Sequence, residues 1–486
     1  MDQSFDSLHS LSGAVDAVLE SGGDLNMPLA WVRDHVQRII TEPLCTSHVL
    51  GSELLDRACI AIGTRAFESL QLVRSNTVVL PDGGEGSFVY LVTKVQKSGG
   101  HTKVIQEFIR SRPAASHVVL STELDGPSDL PYFLEFASSF GDVRFEKVIG
   151  KSNLEKLQRL QVRLMQLRPQ KVYLFNHHQD SVLASAVVPN MGLDAYFCHH
   201  ADHHLCLGVF HQHLKHIDLH PMGYNHCRMH LQVDNLYVPL AVPDLGGPVV
   251  RDPNDRQSGW VTCTAGRSNK LEVPYFVQYA DMVWQILQVT GGQHVHIGML
   301  SKAALQKIRS SLRQHGLSQE SFVYVPWVPS VWKALQVHQV DLYIASFPYG
   351  GGLTLLEAMG AGVPVVLHQH LFSEILSGID LAYEDAFAWR YPQQLLEHLR
   401  HLTRERLQHE QICARREFEK FYDSRWLPDF LIRCDDKPVK PRVSSGRYRR
   451  ADDEWGLWME QQVNLKHWLH RSVYRWLKNL RTSLYR

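Results

Sequence analysis

The chain reads as an α/β protein whose two parallel-sheet halves flank a cleft. Three observations predict it. Short apolar runs alternate with helical patterns over residues 88–245, and the alternation repeats over 259–400. Alternation of this kind builds βαβ units and parallel sheets. Between the two stretches, Pro243, Gly246, Gly247, Pro248 and Pro253 break up a charged segment and mark a linker. Within the second, residues 341–367 run strand, glycine-rich turn, helix, strand, the shape of half a nucleotide-binding unit.

The elements follow in order. Residues 1–87 form a helical N-terminal extension, with amphipathic patches at Leu29–Ile40 and Leu54–Leu72 and a turn at Pro81–Gly86. Residues 88–245 form the first Rossmann-like domain, the acceptor side. Its strands are predicted at Phe88–Thr93, His117–Ser121, Val143–Val148, Val172–Phe175 and Ala195–Cys198, with helices near 101–111, 129–139, 152–167 and 180–188. Residues 255–400 form the second, the donor side. Its strands fall at Trp260–Thr264, Val295–Met299, Phe322–Val325, Leu342–Ala345 and Val363–Leu367, with helices near 273–288, 301–314, 330–338, 354–360 and 372–377. Closing helices fill 401–436. The tail, 437–486, carries twelve Lys/Arg against four Asp/Glu, +8 in a chain of zero net charge, and four tryptophans, Trp455, Trp458, Trp468 and Trp476.

Composition narrows the function class. Zero net charge gives no electrostatic footprint for nucleic acid. Eight cysteines without a Cys-x-x-Cys pair or framework spacing suit free thiols in a reducing compartment. The N-terminus has no basic stretch followed by an apolar run, and no stretch is apolar for long enough to span a bilayer. The expectation is a cytoplasmic protein, with the tail as a possible hold on the inner face of a membrane.

The run Asp341–Leu367 carries the chemistry. Its glycines Gly350, Gly351 and Gly352 lie at the C-terminal end of a strand, where open α/β sheets bind ligands. The following helix start offers unpaired N–H groups and a positive dipole end, suited to a diphosphate. Further motifs accompany it. Tyr324-Val325-Pro326-Trp327-Val328-Pro329-Ser330 resembles the "G-W-V-P" segment of the C-terminal, donor-binding half of GT-B glycosyltransferases. Ser346-Phe347-Pro348-Tyr349-Gly350-Gly351-Gly352-Leu353-Thr354 resembles their diphosphate and sugar loop, and also that of the protein-glycosylating branch, O-GlcNAc transferase and the bacterial adhesin glucosyltransferases. Glu357-Ala358-Met359-Gly360-Ala361-Gly362-Val363-Pro364-Val365 is similar to "E-A-M-A-x-G-x-P-V", and Ala265-Gly266-Arg267-Ser268-Asn269-Lys270-Leu271 to the family's Gly-Arg…Lys segment. Ser98-Gly99-Gly100-His101-Thr102 looks like the glycine loop after the first strand of the other half.

The resemblance implies a GT-B fold and transfer of a sugar from a nucleotide-diphosphate sugar, with UDP the commonest nucleotide. The donor is a substrate, so no resident cofactor is expected, and the family's usual lack of a bound metal implies none here. Breaking the anomeric bond leaves growing negative charge on the diphosphate, which positioned cations and amides stabilise. The resemblance assigns that task to Arg267 and Lys270, with the amides at Gly351–Leu353. It gives Trp327 to the nucleotide base, Glu357, expected on the first helical turn, to the ribose, and Thr354 to the donor loop. Tyr349 stands where many retaining members carry the first Glu of Glu-x7-Glu, which leaves retention or inversion open.

Histidine is abundant, 28 in all with ten between His199 and His230. Asn176-His177-His178-Gln179-Asp180 and His199-His200-Ala201-Asp202-His203-His204 follow predicted strands and face the cleft. A His or Asp there can serve as general base toward an acceptor hydroxyl. His200 and Asp202 are the first candidates, then His177 and His178, with His101, beside Gly99 and Gly100, reaching across. His199 and His203 also share the i,i+4 spacing of a helical metal pair but lack a third ligand, so no metal site is assigned. Most of the others are expected to be surface or structural.

The tail, over 455–486, combines basic residues with helically spaced apolar ones. That pattern suits an anionic membrane surface, or packing of the tryptophans on the N-terminal domain. The acceptor is a glycan, a lipid-linked glycan or a protein. The alternatives are a nucleotide-sugar 2-epimerase of the same fold, which needs a compact pair of carboxylates, and a sugar-nucleotide-binding protein without turnover.

Overall fold

The structure, a computed structural model, describes residues 7–42, 45–74, 86–97, 99–247, 259–434, 436–437, 439–441 and 446–462, together with Leu469, Val473, Trp476 and Leu477. Two parallel sheets carry the chain. The first holds β1 (Phe88–Val92), β2 (His117–Ser121), β3 (Val143–Lys147), β4 (Lys171–Phe175), β5 (Ala195–His199), β6 (Lys215–Asp218) and β7 (Asn235–Tyr237), in the order β3-β2-β1-β4-β5-β6-β7. The second holds β8 (Val261–Ala265), β9 (Gln293–Ile297), β10 (Phe322–Val325), β11 (Leu342–Ile344), β12 (Val365–His368) and β13 (Phe387–Trp389), ordered β10-β9-β8-β11-β12-β13. Strand order reverses beside β1 in one and beside β8 in the other, which places a ligand crevice at the carboxyl ends of both sheets.

The central strands are buried throughout because helices cover both faces, and their few polar side chains, such as His117, Thr262 and Thr264, are hydrogen-bonded. β1, β2, β5 and β8 are buried at every position. Edge strand β3 carries Arg144, Glu146 and Lys147 and stays half exposed, which blunts edge pairing. Strands β6, β7 and β13 lie beyond the predicted set. Lys215-His216-Ile217-Asp218 has one aliphatic residue, and its burial comes from hydrogen-bonded polar side chains that hydropathy does not register. In the second half the predicted 273–288 helix begins later, as Tyr279–Thr290, and a short helix absent from the prediction, Ser268–Leu271, precedes it.

The N-terminal helices are part of the first lobe's core. Leu8–Ser21, Asn26–Ile40 and Glu53–Arg74 bury Leu11, Val15, Leu29, Val32, Leu55 and Ile62 against Val89, Leu91, Leu160 and Leu174. The first of these, absent from the predicted elements, ends on Gly22 in the left-handed region (φ 67°). After the second sheet the helix Arg404–Phe421 packs on the helix Gly352–Gly360. The helix Leu427–Arg433 then returns to the first lobe, where Leu427, Leu431 and Cys434 join a cluster with Tyr90, Tyr173 and Cys198. Val242 and Asp423, on two of the chain crossings between lobes, form a parallel bridge.

Of the tail, Trp455 and Trp458, on the helix Asp452–Gln462, bury into the second lobe beside Tyr275, Tyr279 and Leu371, where neither of the two placements weighed from the sequence had put them, and Trp455 also reaches His48. Trp476 is exposed along with Leu469, Val473 and Leu477. Trp468 lies outside the described residues. Among the described residues all eight cysteines are free, and no helix is long and apolar enough to cross a membrane.

Gly360 shows how tightly the second lobe packs. A Cβ there would stand 2.0 Å from the ring of fully buried Trp332. The helix gains roughly 0.5–1 kcal/mol from Gly→Ala, but forcing the indole aside costs about 1–3 kcal/mol. Gly360→Ala is therefore expected to lower the thermal midpoint of the purified protein, and an unchanged or higher midpoint refutes the packing argument.

Candidate active site

The strand ends of both lobes open onto one cleft of about 910 Å³. On the donor side, the turn after β8 brings Arg267 and Lys270 to its wall, and the turn after β11 brings Tyr349, Gly350, Gly351, Gly352 and Leu353. Lys270 Nζ donates to Gly350 O (2.9 Å), and Tyr349 N donates to Lys270 O (3.3 Å). These bonds lace the two turns together. Burial in the cleft draws the Lys270 ammonium down to about 8, against a smaller upward pull from Asp202. Arg267 stays exposed at the rim.

The glycines are explained mainly by packing. A Cβ at Gly350 would stand 2.5 Å from Leu376 O. One at Gly351 would stand 2.6 Å from Thr354 Oγ1 and 3.4 Å from Lys270 Nζ, so this glycine keeps the space around the ammonium clear. Gly351 caps the helix Gly352–Gly360 without a side-chain hydrogen bond. The first helical turn therefore presents its amides beside Lys270, an anion-binding arrangement.

Three predicted donor residues lie elsewhere than expected. Glu357 is the sixth residue of its helix, not on the first turn, because the helix begins at Gly352. It is buried outside the cleft wall. Its Oε1 accepts from Lys103 Nζ of the other lobe (2.6 Å), and its Oε2 accepts from Trp332 N (2.9 Å). Trp327 also stands off the wall, with Lys97 Nζ 3.8 Å above its ring. Thr354 sits behind Gly351.

The first lobe's side of the cleft is a cluster of imidazoles. Gly99, in the positive-φ region at 146°, and Gly100 start the helix Gly100–Arg110, and Gly100 abuts Leu353 across the cleft. His101 Nε2 donates to Lys94 O (2.7 Å), and burial, aided by nearby His177, holds the ring neutral at about 3. Its ring is 5.1 Å from that of His177 and 5.5 Å from that of His200. His200 is pushed well below its usual range by burial and by His101 and His177. His178 is likewise held neutral by burial and stacks edge-on with His203 and His204.

His177 differs from these. Its Nδ1 donates to Asp125 Oδ2 (2.8 Å), and Gln179 Nε2 donates to Asp125 Oδ1 (2.8 Å). Burial raises the Asp125 pKa, but the His177 hydrogen bond and charge, with Arg33 and Lys94, bring it below the usual carboxylate range. The pair is a carboxylate-oriented imidazole with its other nitrogen turned to the cleft, the arrangement of a base and its orienter. Asp125, in the turn after β2, is not among the residues predicted from the sequence; its place just past a strand's carboxyl end is the signal that marks it. Asp180, from the same motif as His177, is structural. It accepts from Thr93 Oγ1, Thr122 Oγ1 and Leu183 N at 2.7–2.9 Å and ties three strand ends together.

Asp202 is already committed. It accepts a short hydrogen bond from His220 Nε2, while His220 Nδ1 accepts from Gly223 N (2.9 Å) and caps the helix Pro221–Met229. Burial works against both charges, yet each partner's field wins: Asp202 is lowered and His220 raised. A carboxylate so engaged is a poor base.

The N-terminal helices hold this wall from behind. Asp56 accepts from Gly208 N (2.7 Å) and Phe210 N (2.8 Å), and Ser47 N donates to His203 O (2.8 Å). The loop between the second and third helices also reaches the donor lobe. Thr46 Oγ1 bonds Tyr349 OH (2.8 Å), Ser47 Oγ bonds Ser373 Oγ (2.9 Å), and His48 stacks on Phe372 and accepts from Trp455 Nε1. No sequence signal pointed to Thr46.

The chain has the GT-B fold of nucleotide-sugar glycosyltransferases. It is similar to the lipopolysaccharide outer core galactosyltransferase WaaB in its apo form, at 15% identity and TM-score 0.51 over 72% of this chain and 99% of that one. A glycosyltransferase from Rickettsia africae ESF-5 superposes with TM-score 0.53 at 10% identity, over 72% and 97%. Anabaena Alr3699/HepE in complex with UDP and glucose does so with 0.51 at 11%, over 72% and 98%. No family model matches the chain, and no curated protein matches it by sequence.

Removing one partner of a buried pair leaves the other uncompensated. His220→Ala, which also strips a helix cap, is expected to cost about 3–5 kcal/mol, read as a lowered denaturation midpoint, with Asp202→Asn milder. Equal stability in both variants overturns the account of Asp202.

Proposed function

We propose that this protein is a glycosyltransferase that moves a sugar from a nucleotide-diphosphate sugar to a glycan, a lipid-linked glycan or a protein. The observation that carries the reading is Lys270. Its ammonium is desolvated between Gly350 and the uncapped start of the helix Gly352–Gly360, at the floor of a cleft between two Rossmann-like lobes. A cation and amides preset around one point stabilise a diphosphate more as its charge grows during departure. Arg267 at the rim adds a planar fork for phosphate. UDP is the favoured nucleotide, in keeping with the Anabaena neighbour's UDP complex. Glu357 takes the ribose hydroxyls in place of Lys103, and Trp327 the base in place of Lys97.

Opposite the diphosphate point, His177 accepts the proton of the acceptor hydroxyl through Nε2 while Asp125 holds Nδ1–H and stabilises the imidazolium that forms. His200 is second in line for that role. The two cleft aspartates, Asp125 and Asp202, are each bonded to a histidine, so the compact acid/base pair an epimerase needs is not what this wall offers. The donor is a substrate, and no resident cofactor is invoked in the transfer. A peripheral membrane contact rests on the exposed apolar residues Leu469, Val473, Trp476 and Leu477.

Incubation with a panel of nucleotide sugars separates the readings. Release of nucleoside diphosphate supports transfer, interconverted sugar nucleotide supports epimerisation, and tight binding without turnover supports a binding protein. Asp125→Ala and His177→Ala are expected to lower kcat by about 10²–10⁴-fold at unchanged donor affinity. Wild-type rates in both remove His177 from the mechanism. UDP affinity is expected to be constant at low pH and to weaken above about 8, by up to roughly tenfold per pH unit, as Lys270 loses its proton. Lys270→Met should bind weakly with a flat profile, and a profile that persists in that variant rejects Lys270 as the diphosphate cation.

A further inference from the structure

His199, His216, Asp218 and Cys227 converge in the interior of the first lobe. His199 ends β5, His216 and Asp218 lie on β6, and Cys227 comes from the helix Pro221–Met229. All four are buried, and one donor atom from each lies within 4.8 Å of the others. His199 Nδ1 is 3.3 Å from Asp218 Oδ1 and 3.4 Å from Cys227 Sγ. Cys227 Sγ is 3.4 Å from Asp218 Oδ1, and His216 Nε2 is 3.3 Å from Asp218 Oδ2.

His199 Nδ1, Cys227 Sγ and Asp218 Oδ1 make a triangle with edges of 3.3–3.4 Å, and His216 Nε2 stands by the other oxygen of the same carboxylate. Bonds of about 2.0–2.1 Å to nitrogen or oxygen and about 2.3 Å to sulfur put neighbouring zinc ligand atoms roughly 3.3–3.6 Å apart, the spacing of that triangle. The donor orientations agree. His216 directs Nδ1 to Val209 O (3.3 Å), which turns Nε2 to the carboxylate. A proton on Nε2 or a metal ion between the two satisfies that contact, and the metal ion also engages His199 and Cys227. Asn235 Nδ2 donates to Asp218 Oδ2 (2.6 Å) and orients the carboxylate, as an outer partner of a metal ligand does. The charge balances as well: one divalent ion with Asp218 carboxylate and Cys227 thiolate makes a neutral group in a site without water, and binding releases the thiol proton.

We propose that His199, His216, Asp218 and Cys227 bind one structural zinc ion. Four protein ligands close the coordination sphere, so the ion holds structure and takes no part in the transfer. It clamps β5, β6 and the helix Pro221–Met229 behind the cleft wall, between His200 on one side and the Asp202–His220 pair on the other. The transfer proposal needs no metal, and the absence of one assigned from sequence reflects ligands scattered over 29 residues without a short repeat.

The test uses the full-length protein purified from zinc-supplemented culture. Elemental analysis is expected to give about one zinc per chain after dialysis against a weak chelator. After removal with a strong chelator and reloading with cobalt(II), the wild type should show the thiolate-to-cobalt charge-transfer band and the intense visible bands of a tetrahedral site. Cys227→Ser should lose that charge-transfer band, and His216→Ala should lose most of the metal. His409→Ala, in the exposed group Asp385, His409 and Cys413, should keep both. Wild-type protein that takes up neither zinc nor cobalt overturns the proposal without recourse to any variant. So does cobalt bound with no thiolate band, or metal lost in His409→Ala while Cys227→Ser retains it. None of these readouts depends on glycosyl transfer.

Discussion

A lysine ammonium cannot stay charged in a dry pocket without oxygen atoms around it, and that constraint organises the donor lobe. The Gly350 carbonyl is turned toward Lys270 Nζ, and this orientation requires the residue at 350 to lie flush against the Leu376 carbonyl and the residue at 351 to leave room for the ammonium. Both demands exclude a side chain. The glycine run, the unsupported helix start and the lowered basicity of the lysine are therefore aspects of one arrangement. An incoming diphosphate would meet charge and amides already in place.

The first lobe's side of the cleft is built differently. Its imidazoles are crowded, and their polarity is taken up by backbone carbonyls and by three carboxylates, Asp125, Asp202 and Asp218, each beside a histidine. The cleft therefore has a cation and helix amides on one side and a hydrogen-bonded wall of clustered imidazoles on the other. The helices before β1 make that wall rigid, since Asp56 and Ser47 hold the loops from which it is built.

Much of this was legible in the order of residues. Both sheets announced themselves through short runs of apolar and β-branched residues such as Phe88–Val92 and Val261–Ala265, because a strand covered on both faces has no exposed positions to interrupt the run. Arg267, Lys270 and Tyr349–Leu353 line the cleft, because a turn at a strand's carboxyl end has one place to go. Legibility failed where burial is polar. Lys215–Asp218 and Asn235–Tyr237 are strands held by histidine, aspartate and asparagine contacts between segments far apart in sequence, and no periodicity records such contacts. It failed again for Glu357, whose helix starts two residues earlier than the apolar pattern indicated, and for Thr46, which meets Tyr349 only through the tertiary fold.

The polypeptide passes between the lobes three times, the third time between the helix Leu427–Arg433 and the tail helix Asp452–Gln462, and at Val242 and Asp423 the first two passages lie side by side with backbone bonds joining them: Val242 N to Tyr422 O and Ser424 N to Val242 O. Beyond that point the lobes share one apolar cluster, in which Met222 and Leu240 meet Leu353 and Leu381. Side chains add to it: Lys103 to Glu357, Lys97 to Trp327 and Thr46 to Tyr349. The two residues that the transfer proposal gives to the nucleoside, Glu357 and Trp327, are thus each met by a lysine of the opposite lobe, so a nucleoside arriving there competes with a cation already in place.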